Sequence, residues 1–184
     1  YLTLGEERLL DPIRRGMYFY IISQDSSGGW GQQLDMNLEA AGARTYEPKA
    51  LLPPATVENA TYLITYYRYT GDRRFLARIP DAINWLERVK LPESQTASGK
   101  YTHSTFVEMG TNRPIYVHRK GSNVKYGKYY FDYSDEKLLS HYGGKSRIAV
   151  DRLEQEYNRV KALSPEQASK NSPLKVEIFA GAGT

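Results

Sequence analysis

Apolar residues recur at helical spacing in four parts of the chain, and each part predicts an amphipathic helix. The predicted helices cover residues 6–24, 56–69, 73–89 and 148–163. Proline is tolerated in the first turn of a helix and breaks the helix at later positions. We therefore expect Pro12 to separate a short first turn from the first main helix, and Pro80 to interrupt the third helix.

The helical period disappears between residues 91 and 133. β-branched and aromatic residues in this region form short runs that are bounded by turn residues, which is typical of strands. Strands are predicted over residues 101–107, 114–118, 124–126 and 129–133. We expect these strands to form one or two hairpins at one end of the helical body.

Two parts of the helical region resemble each other. Aligning Gly5 with Gly71 places Arg8 on Arg74, and an acidic residue follows each glycine. Both copies predict a turn, a short helix and then a long amphipathic helix. Repeats of this kind indicate helical hairpins that are stacked or arranged in a circle. We therefore expect a mainly α fold, either an (α/α) toroid or an α-solenoid of helical hairpins, with short β-hairpins in residues 100–133.

Length and composition predict one globular domain. The chain has 184 residues, of which 40% are hydrophobic and 25% are charged, which is ordinary for a protein with a buried core. We assign residues 1–170 to the toroid domain and residues 171–184 to a tail. Because the sequence begins within a pattern, without Met or a leader, we expect it to be a fragment whose N-terminal part is missing.

The residue types exclude several classes of site. The chain has no cysteine, which excludes disulfides and thiolate zinc sites. It has no run of about 18 apolar residues, so we expect no membrane-spanning helix. The three histidines lack the spacing of metal ligands, and the sequence contains no P-loop, no H-E-x-x-H motif and no G-x-S-x-G motif.

A long polar segment, residues 28–49, connects the first two predicted helices. It is too long and irregular for a tight turn and too polar for a core helix. Long loops in compact domains are usually functional or disordered, and a disordered loop rarely holds both Trp and Tyr. We therefore interpret this segment as a site loop. Its unusual residues include Trp30, Gln32, Gln33, Asp35, Arg44, Tyr46, Glu47 and Lys49.

Tyrosine is frequent in this chain, with 16 Tyr against 5 Phe and 2 Trp. Its flat ring and hydroxyl suit ligands that are part ring and part polar, such as sugars and bases. The net charge of +4 favours anionic partners, either uronate polymers or nucleic acid. Arginine pairs bidentately with carboxylates, so cationic and aromatic residues on loops over a helical scaffold match the needs of an acidic polysaccharide groove.

Several motifs together resemble the pectate lyases of polysaccharide lyase family ten and their uncharacterised relatives. The first half carries Gly-Trp-Gly-Gln-Gln-Leu-Asp at residues 29–35, Gly-Ala-Arg-Thr-Tyr-Glu-Pro at 42–48 and Val57-Glu58 at the start of a helix. The second half carries Glu-Met-Gly-Thr-Asn-Arg-Pro-Ile-Tyr at residues 108–116 and His141-Tyr-Gly. The resemblance covers roughly residues 1–165.

The resemblance implies an (α/α) toroid in a secreted or periplasmic protein that cleaves polygalacturonate by anti β-elimination, usually with calcium. A base must remove the C5 proton of the uronate, which is acidic only when cations neutralise the adjacent carboxylate. In this family the base is an arginine, and motif matching assigns that role to Arg44. Asp35 would hold Ca²⁺ through its carboxylate oxygens.

The resemblance also assigns substrate contacts. Arg113 and Arg119 would bind substrate carboxylates, and Trp30 and Tyr46 would shape a groove that faces the sugar. The remaining residues assigned to substrate binding are Gln33, Glu47 and His141.

The chain departs from the family pattern at Thr105, where the family has an arginine. A paired Arg-Arg-Thr-Gly motif is also replaced by Leu-Leu-Ser-His-Tyr-Gly at residues 138–143. An alternative is therefore a non-catalytic toroid that binds acidic glycans. A nucleic-acid-binding helical repeat is a third hypothesis, but the basic residues are dispersed among acidic ones, so we expect no nucleic-acid partner. We expect the protein to be a monomer.

Overall fold

The computed structural model describes residues 1–121, 127–139 and 144–175. These residues contain five α-helices, and two short 3-10 turns, Glu7–Leu9 and Arg73–Leu76, precede the first and third of them. The helices are α1 (Leu10–Ile22), α2 (Pro53–Thr70), α3 (Ile79–Arg88), α4 (Val150–Lys161) and α5 (Pro165–Ala168).

The strands form three small antiparallel sheets within the described residues. The first is a hairpin of β1 and β2, the second pairs β3 with β7, and the third has the order β4-β5-β6. The strands are β1 (Gln33–Leu34), β2 (Ala40–Ala41), β3 (His103–Ser104), β4 (Phe106–Val107), β5 (Pro114–Lys120), β6 (Lys128–Asp132) and β7 (Lys145–Ser146).

The prediction of a mainly α toroid built of helical hairpins is wrong. The structure has 42% helix and 15% strand, and its helices are accompanied by antiparallel sheets. A toroid of hairpins requires each helix to be followed by a helical partner. Here α1 is followed by residues 28–52 and α3 by residues 91–146, and the described parts of both segments contain strands and irregular backbone but no α-helix.

The repeat between Gly5 and Gly71 is confirmed only as a local structure. Both glycines have a left-handed backbone, with φ of 69° and 72°, which glycine adopts without steric cost. Glu6 (φ −85°, ψ 106°) and Asp72 (φ −82°, ψ 108°) then precede the 3-10 turns in the same extended conformation. Each acid pairs with the arginine two residues later. The repeat therefore specifies how a helical segment begins, but not what the helix packs against.

Helix α2 is the central element of the helical layer, and α1, α3, α4 and α5 all contact it. It begins at Pro53, because proline suits the first helical positions, and ends at the left-handed Gly71. Its buried side includes Ala60, Leu63 and Ile64. Burying one side chain such as Leu63 stabilises the fold by about 1.5–3 kcal/mol.

The last described residues pack against the helical layer. The Ser172 hydroxyl donates to the carbonyl of Tyr69 at 2.6 Å, and Leu174 contacts the main core. Residues 176–184, the rest of the predicted tail, lie outside the described residues, as do residues 124–126 of one predicted strand. No helix in the described ranges is long and apolar enough to cross a bilayer.

The sheet β4-β5-β6 has a core of its own on the side that faces residues 50–52. That core contains Ala50, Leu52, Phe106, Ile115, Val117 and Leu139. A pair of backbone hydrogen bonds joins this sheet to the loop: Leu51 N–H donates to Val107 O at 3.0 Å and Val107 N–H donates to Leu51 O at 2.8 Å. The residues that directly follow the predicted site loop therefore connect the helices and the sheet.

His103 is a fully buried polar residue beneath the helices. Its Nε2 lies 2.8 Å from the carbonyl of Leu86, and its Nδ1 lies 2.8 Å from the hydroxyl of Thr102. The same hydroxyl accepts from the backbone N–H of Ile148 at 2.8 Å. Burial lowers the pKa of His103, and the hydrogen bond to Leu86 opposes this effect only in part. The neutral imidazole therefore links α3, β3 and the approach to α4.

We predict that Gly28→Ala destabilises the protein by about 2–4 kcal/mol. Gly28 has φ of +109°, and an added Cβ would lie 2.3 Å from the carbonyl oxygen of Asp81. Gly16→Ala is the matched control, because Gly16 is helical and an added Cβ meets no atom within 4 Å. The control should stabilise the protein by about 0.5–1 kcal/mol. Urea denaturation measures both effects, and equal stabilities of the two variants would contradict the described packing.

We predict that His103 makes stability depend on pH. Because its folded pKa lies below the ordinary value of about 6.5, its contribution is complete above that pH and is lost as the pH falls, by at most about 1.4 kcal/mol per pH unit. Urea denaturation of His103→Gln between about pH 7.5 and 5.5 should therefore show a flatter pH dependence than wild type. Identical slopes for wild type and His103→Gln would refute this assignment.

Candidate functional site

Arg44 and Glu47 close a tight turn near the end of the long loop. The backbone N–H of Glu47 donates to Arg44 O at 2.8 Å, and Glu47 Oε2 accepts from both the backbone N–H and the Nε of Arg44, each at 2.9 Å. Arg44 Nη2 also pairs with Glu47 Oε1. The carboxylate is 4% exposed, whereas the arginine side chain is 57% exposed. A buried carboxylate needs such partners, so Glu47 holds the guanidinium at the surface and favours its charged form.

Aromatic contacts tie this turn to strand β6. The guanidinium of Arg44 lies 4.9 Å from the centre of the Tyr46 ring. The Tyr46 ring meets Tyr129 edge to face, with ring centres 5.5 Å apart. Tyr129 is directly opposite Arg119 in the β5–β6 register, so the two side chains share one face of the sheet. The Arg119 side chain has no hydrogen-bond or ion-pair partner among the described residues.

A second cluster lies at the other end of the same sheet. The guanidinium of Arg113 stacks on the Tyr133 ring at 3.5 Å, and the Tyr133 hydroxyl donates to Glu108 Oε1 at 3.0 Å. The Thr111 hydroxyl donates to the other carboxylate oxygen. The hydrogen bonds from Thr111 and Tyr133 lower the pKa of Glu108, and the hydrogen bond to Glu108 raises the pKa of Tyr133. Glu108 is therefore an ionised acceptor that fixes the ring on which Arg113 rests.

The two clusters define a cation–aromatic strip along the sheet. Arg113 directly precedes strand β5 and Arg119 lies near its end, and six residues of extended chain separate them by about 20 Å. The strip consists of Arg44, Tyr46, Arg119, Tyr129, Arg113 and Tyr133. The structure therefore places Arg119 in the sheet, Arg113 directly before strand β5 and Arg44 in the loop that contacts the sheet through Tyr46. The three arginines do not converge on one point. An elongated surface of this kind suits an extended polymer better than a small ligand.

Trp30, which was predicted to face the sugar, is a core residue. Its side chain is 1% exposed, its indole N–H donates to Tyr20 O at 3.1 Å, and its backbone N–H donates to the Thr56 hydroxyl at 3.0 Å. A ring buried in this way has no free face on which a sugar could stack. The role of Trp30 is to anchor the loop on α1 and α2.

Gln33 and Asp35 lie in the β1–β2 hairpin, away from the contacts that define the strip. Gln33 pairs with Ala41 and is exposed. Asp35 Oδ1 accepts from the backbone N–H groups of Asn37 at 2.8 Å and Glu39 at 3.1 Å, which is the usual role of Asp in a turn. His141 lies outside the described residues.

The described residues do not fit a calcium site at Asp35. Calcium takes six to eight oxygen ligands, including carboxylates. Across the described ranges, no group of three or more His, Asp or Glu side chains is placed to hold a metal ion. One oxygen of Asp35 is already engaged by two backbone donors. We therefore assign no step of the chemistry to a metal.

Sequence reasoning missed Tyr129 as a site residue and gave Tyr133 no role in the site. A signal for both is present in residues 128–133, Lys-Tyr-Tyr-Phe-Asp-Tyr. Residues two apart in a strand point to the same face, so Tyr129 and Phe131 form an aromatic row on β6, the edge strand, and Tyr133 follows directly after it. Thr105, at the position of the family arginine, lies between β3 and β4, and its backbone N–H donates to Gly144 O at 3.0 Å.

We predict that Tyr133→Phe raises the pKa of Glu108 toward its ordinary value. The substitution removes one hydrogen bond that stabilises the carboxylate but keeps the ring that supports Arg113. Tyr130→Phe is the control, because Tyr130 stacks on His118 at 5.1 Å instead. An NMR titration of the Glu108 carboxyl carbon measures both variants. A Glu108 pKa that is the same in wild type and Tyr133→Phe would show that the hydrogen bond does not form in solution.

Comparisons of this chain with protein-family models, with curated proteins and with solved structures find no match.

Proposed function

We propose that this protein binds an acidic uronate polymer along the cation–aromatic strip and cleaves it by β-elimination. The observation that carries the proposal is the arrangement of three arginines along the sheet and the turn that contacts it. Arg44 and Arg113 each lie over a tyrosine ring, and Arg119 is opposite Tyr129 in the β5–β6 register. The family resemblance of the sequence motifs supports the choice of uronate. We also propose a secreted or periplasmic monomer on the basis of that resemblance.

The strip offers two kinds of contact that an acidic polysaccharide needs. Guanidinium groups pair with carboxylates in a fixed, bidentate geometry. Tyrosine rings present an apolar face to a sugar ring and a hydroxyl to its polar groups. Tyr133 is 44% exposed, and Phe131 beside it is 58% exposed. Spreading these contacts over about 20 Å lets carboxylates on different sugar units pair with different arginines.

The elimination step requires a base at C5 and positive charge at the adjacent carboxylate. When the C5 proton leaves, its electron pair forms the C4–C5 double bond, the bond from C4 to the glycosidic oxygen breaks, and the departing oxygen takes a proton from water. We propose that Arg44 acts at this step, as the base or as the positive charge beside the developing enolate. Its ion pair with Glu47 favours the charged guanidinium, which suits the stabilisation of the developing enolate. To act as the base, Arg44 must first lose a proton, which its pairing with the Glu47 carboxylate opposes.

A second candidate function is binding of the same polymer without cleavage. Two observations favour it. Arg44 is paired with Glu47, which opposes loss of its proton. The position that holds an arginine in the resembling family is Thr105 in this chain.

We predict that the intact protein, incubated with polygalacturonate, forms an unsaturated product that absorbs in the ultraviolet. Arg44→Lys should reduce the rate by about 100-fold or more, because a positioned general base contributes about that factor. Arg88→Lys is the matched control, since Arg88 lies on the exposed side of α3. Parallel assays with added calcium and with a chelator report whether a metal is needed.

The outcomes separate the two functions. Binding of polygalacturonate without product from any uronate polymer would support the non-catalytic alternative. Full activity of Arg44→Lys would remove Arg44 from the mechanism. Neither binding nor cleavage of any uronate polymer would reject both candidates.

A further inference from the structure

A second cationic surface lies between α2 and α4, and none of its residues belongs to the strip. The space is about 690 Å³ and forms an open groove, which we call the α2–α4 groove. Its lining residues are Val57, Thr61, Arg147, Ile148, Ala149, Arg152, Leu153, Gln155, Glu156 and Arg159. A cavity of this size is in the range that binds small organic ligands.

Glu156, the acidic residue of the groove, is already neutralised. Arg159 donates to both of its carboxylate oxygens, at 2.8–3.0 Å, and Arg68 pairs with Oε1 from α2. Glu156 therefore has two arginine partners of its own and does not need a third. This network closes one part of the groove and joins α4 to α2.

Arg147 and Arg152 take part in neither of these ion pairs. Neither side chain has a hydrogen-bond or ion-pair partner within residues 1–121, 127–139 and 144–175. Both are exposed and line the same groove. Two unpaired guanidinium groups beside one cavity favour an anionic ligand, since arginine pairs bidentately with carboxylate and phosphate oxygens.

The floor of the groove is apolar. Leu153 is buried, and Val57 and Ile148 are partly buried and pack against the main core. An inorganic ion would leave this floor in contact with water, whereas a ligand with an apolar body would cover it and gain from its burial. The lining therefore fits an anion that carries a compact apolar group.

We propose that the α2–α4 groove binds a small organic anion, whose carboxylate or phosphate group pairs with Arg147 and Arg152 and whose apolar body covers Val57, Ile148 and Leu153. This site is independent of the strip and does not rest on the lyase proposal. Carboxylate and phosphate share the geometry that the two arginines recognise, so the test separates these two sources.

The test is an NMR titration of the full chain with four probes. Benzoate and phenyl phosphate carry an apolar ring and an anion, benzyl alcohol carries the ring alone, and inorganic phosphate carries the anion alone. At least one of the two aryl anions should shift the signals of Val57, Ile148 and Leu153 and should bind at least about tenfold more tightly than either partial probe. The tighter of the two aryl anions identifies the preferred anionic group.

Variants locate the site. Arg147→Gln/Arg152→Gln should weaken binding of the preferred probe by at least about tenfold, and Arg152→Gln alone should weaken it by less. Both residues are exposed and outside any described ion pair, so the variants should fold, and Arg88→Gln is the matched control. The proposal is overturned if benzyl alcohol binds as well as the aryl anions, if no probe shifts the groove signals, or if the double variant binds like the control.

Discussion

The two backbone hydrogen bonds between Leu51 and Val107 are the constraint on which the arrangement of the whole molecule depends. They join the loop that leads into α2 to the sheet that carries Arg119. Leu51 is held in turn because Gly31 pairs with it and because the N–H of Leu52 donates to Trp30 O at 2.9 Å. Trp30 is itself fixed on α1 and α2. The two ends of the long loop are therefore buried, whereas residues 35–39 and 42–45 between them are exposed.

This placement explains why the strip is ordered before any ligand is present. Arg44 is held by the buried Glu47 carboxylate, and Arg113 is held by the ring of Tyr133. Ordering a free arginine side chain on binding costs about 0.5–1.5 kcal/mol, and groups that are already positioned avoid most of that cost. The same pairing limits the chemistry, because a guanidinium beside a carboxylate keeps its proton. The strip is thus well suited to binding anions. The elimination step also requires Arg44 to lose its proton.

Helices α2, α3 and α4 could be predicted from the sequence because each buries apolar residues at helical spacing. The second helix was expected at residues 56–69 and spans Pro53–Thr70, and the last was expected at residues 148–163 and spans Val150–Lys161. The architecture could not be predicted in the same way. The Gly–acid repeat is a local rule for starting a helical segment, and the partner of each helix is decided by contacts that are distant in sequence.

The site was predicted in part, for reasons that individual residues make plain. Arg44 and Tyr46 are connected to Arg119 through Tyr129, and their roles in substrate binding stay a prediction. Trp30 was misplaced because its polar neighbours suggested a surface loop, whereas the preceding glycines were the better signal. An added Cβ at Gly29 would lie 3.0 Å from the ring of Trp85, which shows how closely the backbone approaches the core there.

The most direct test of the central claim, that the strip binds an acidic polymer, is hydrogen–deuterium exchange with an oligogalacturonate. Our account predicts slower exchange in residues 44–49, 113–121 and 128–133 when the ligand is added, and no change with a neutral oligosaccharide of the same length. It also predicts that the protection weakens at high salt, because the contacts are ionic. Protection confined to other parts of the chain, or protection that is equal for the neutral sugar, would contradict the account.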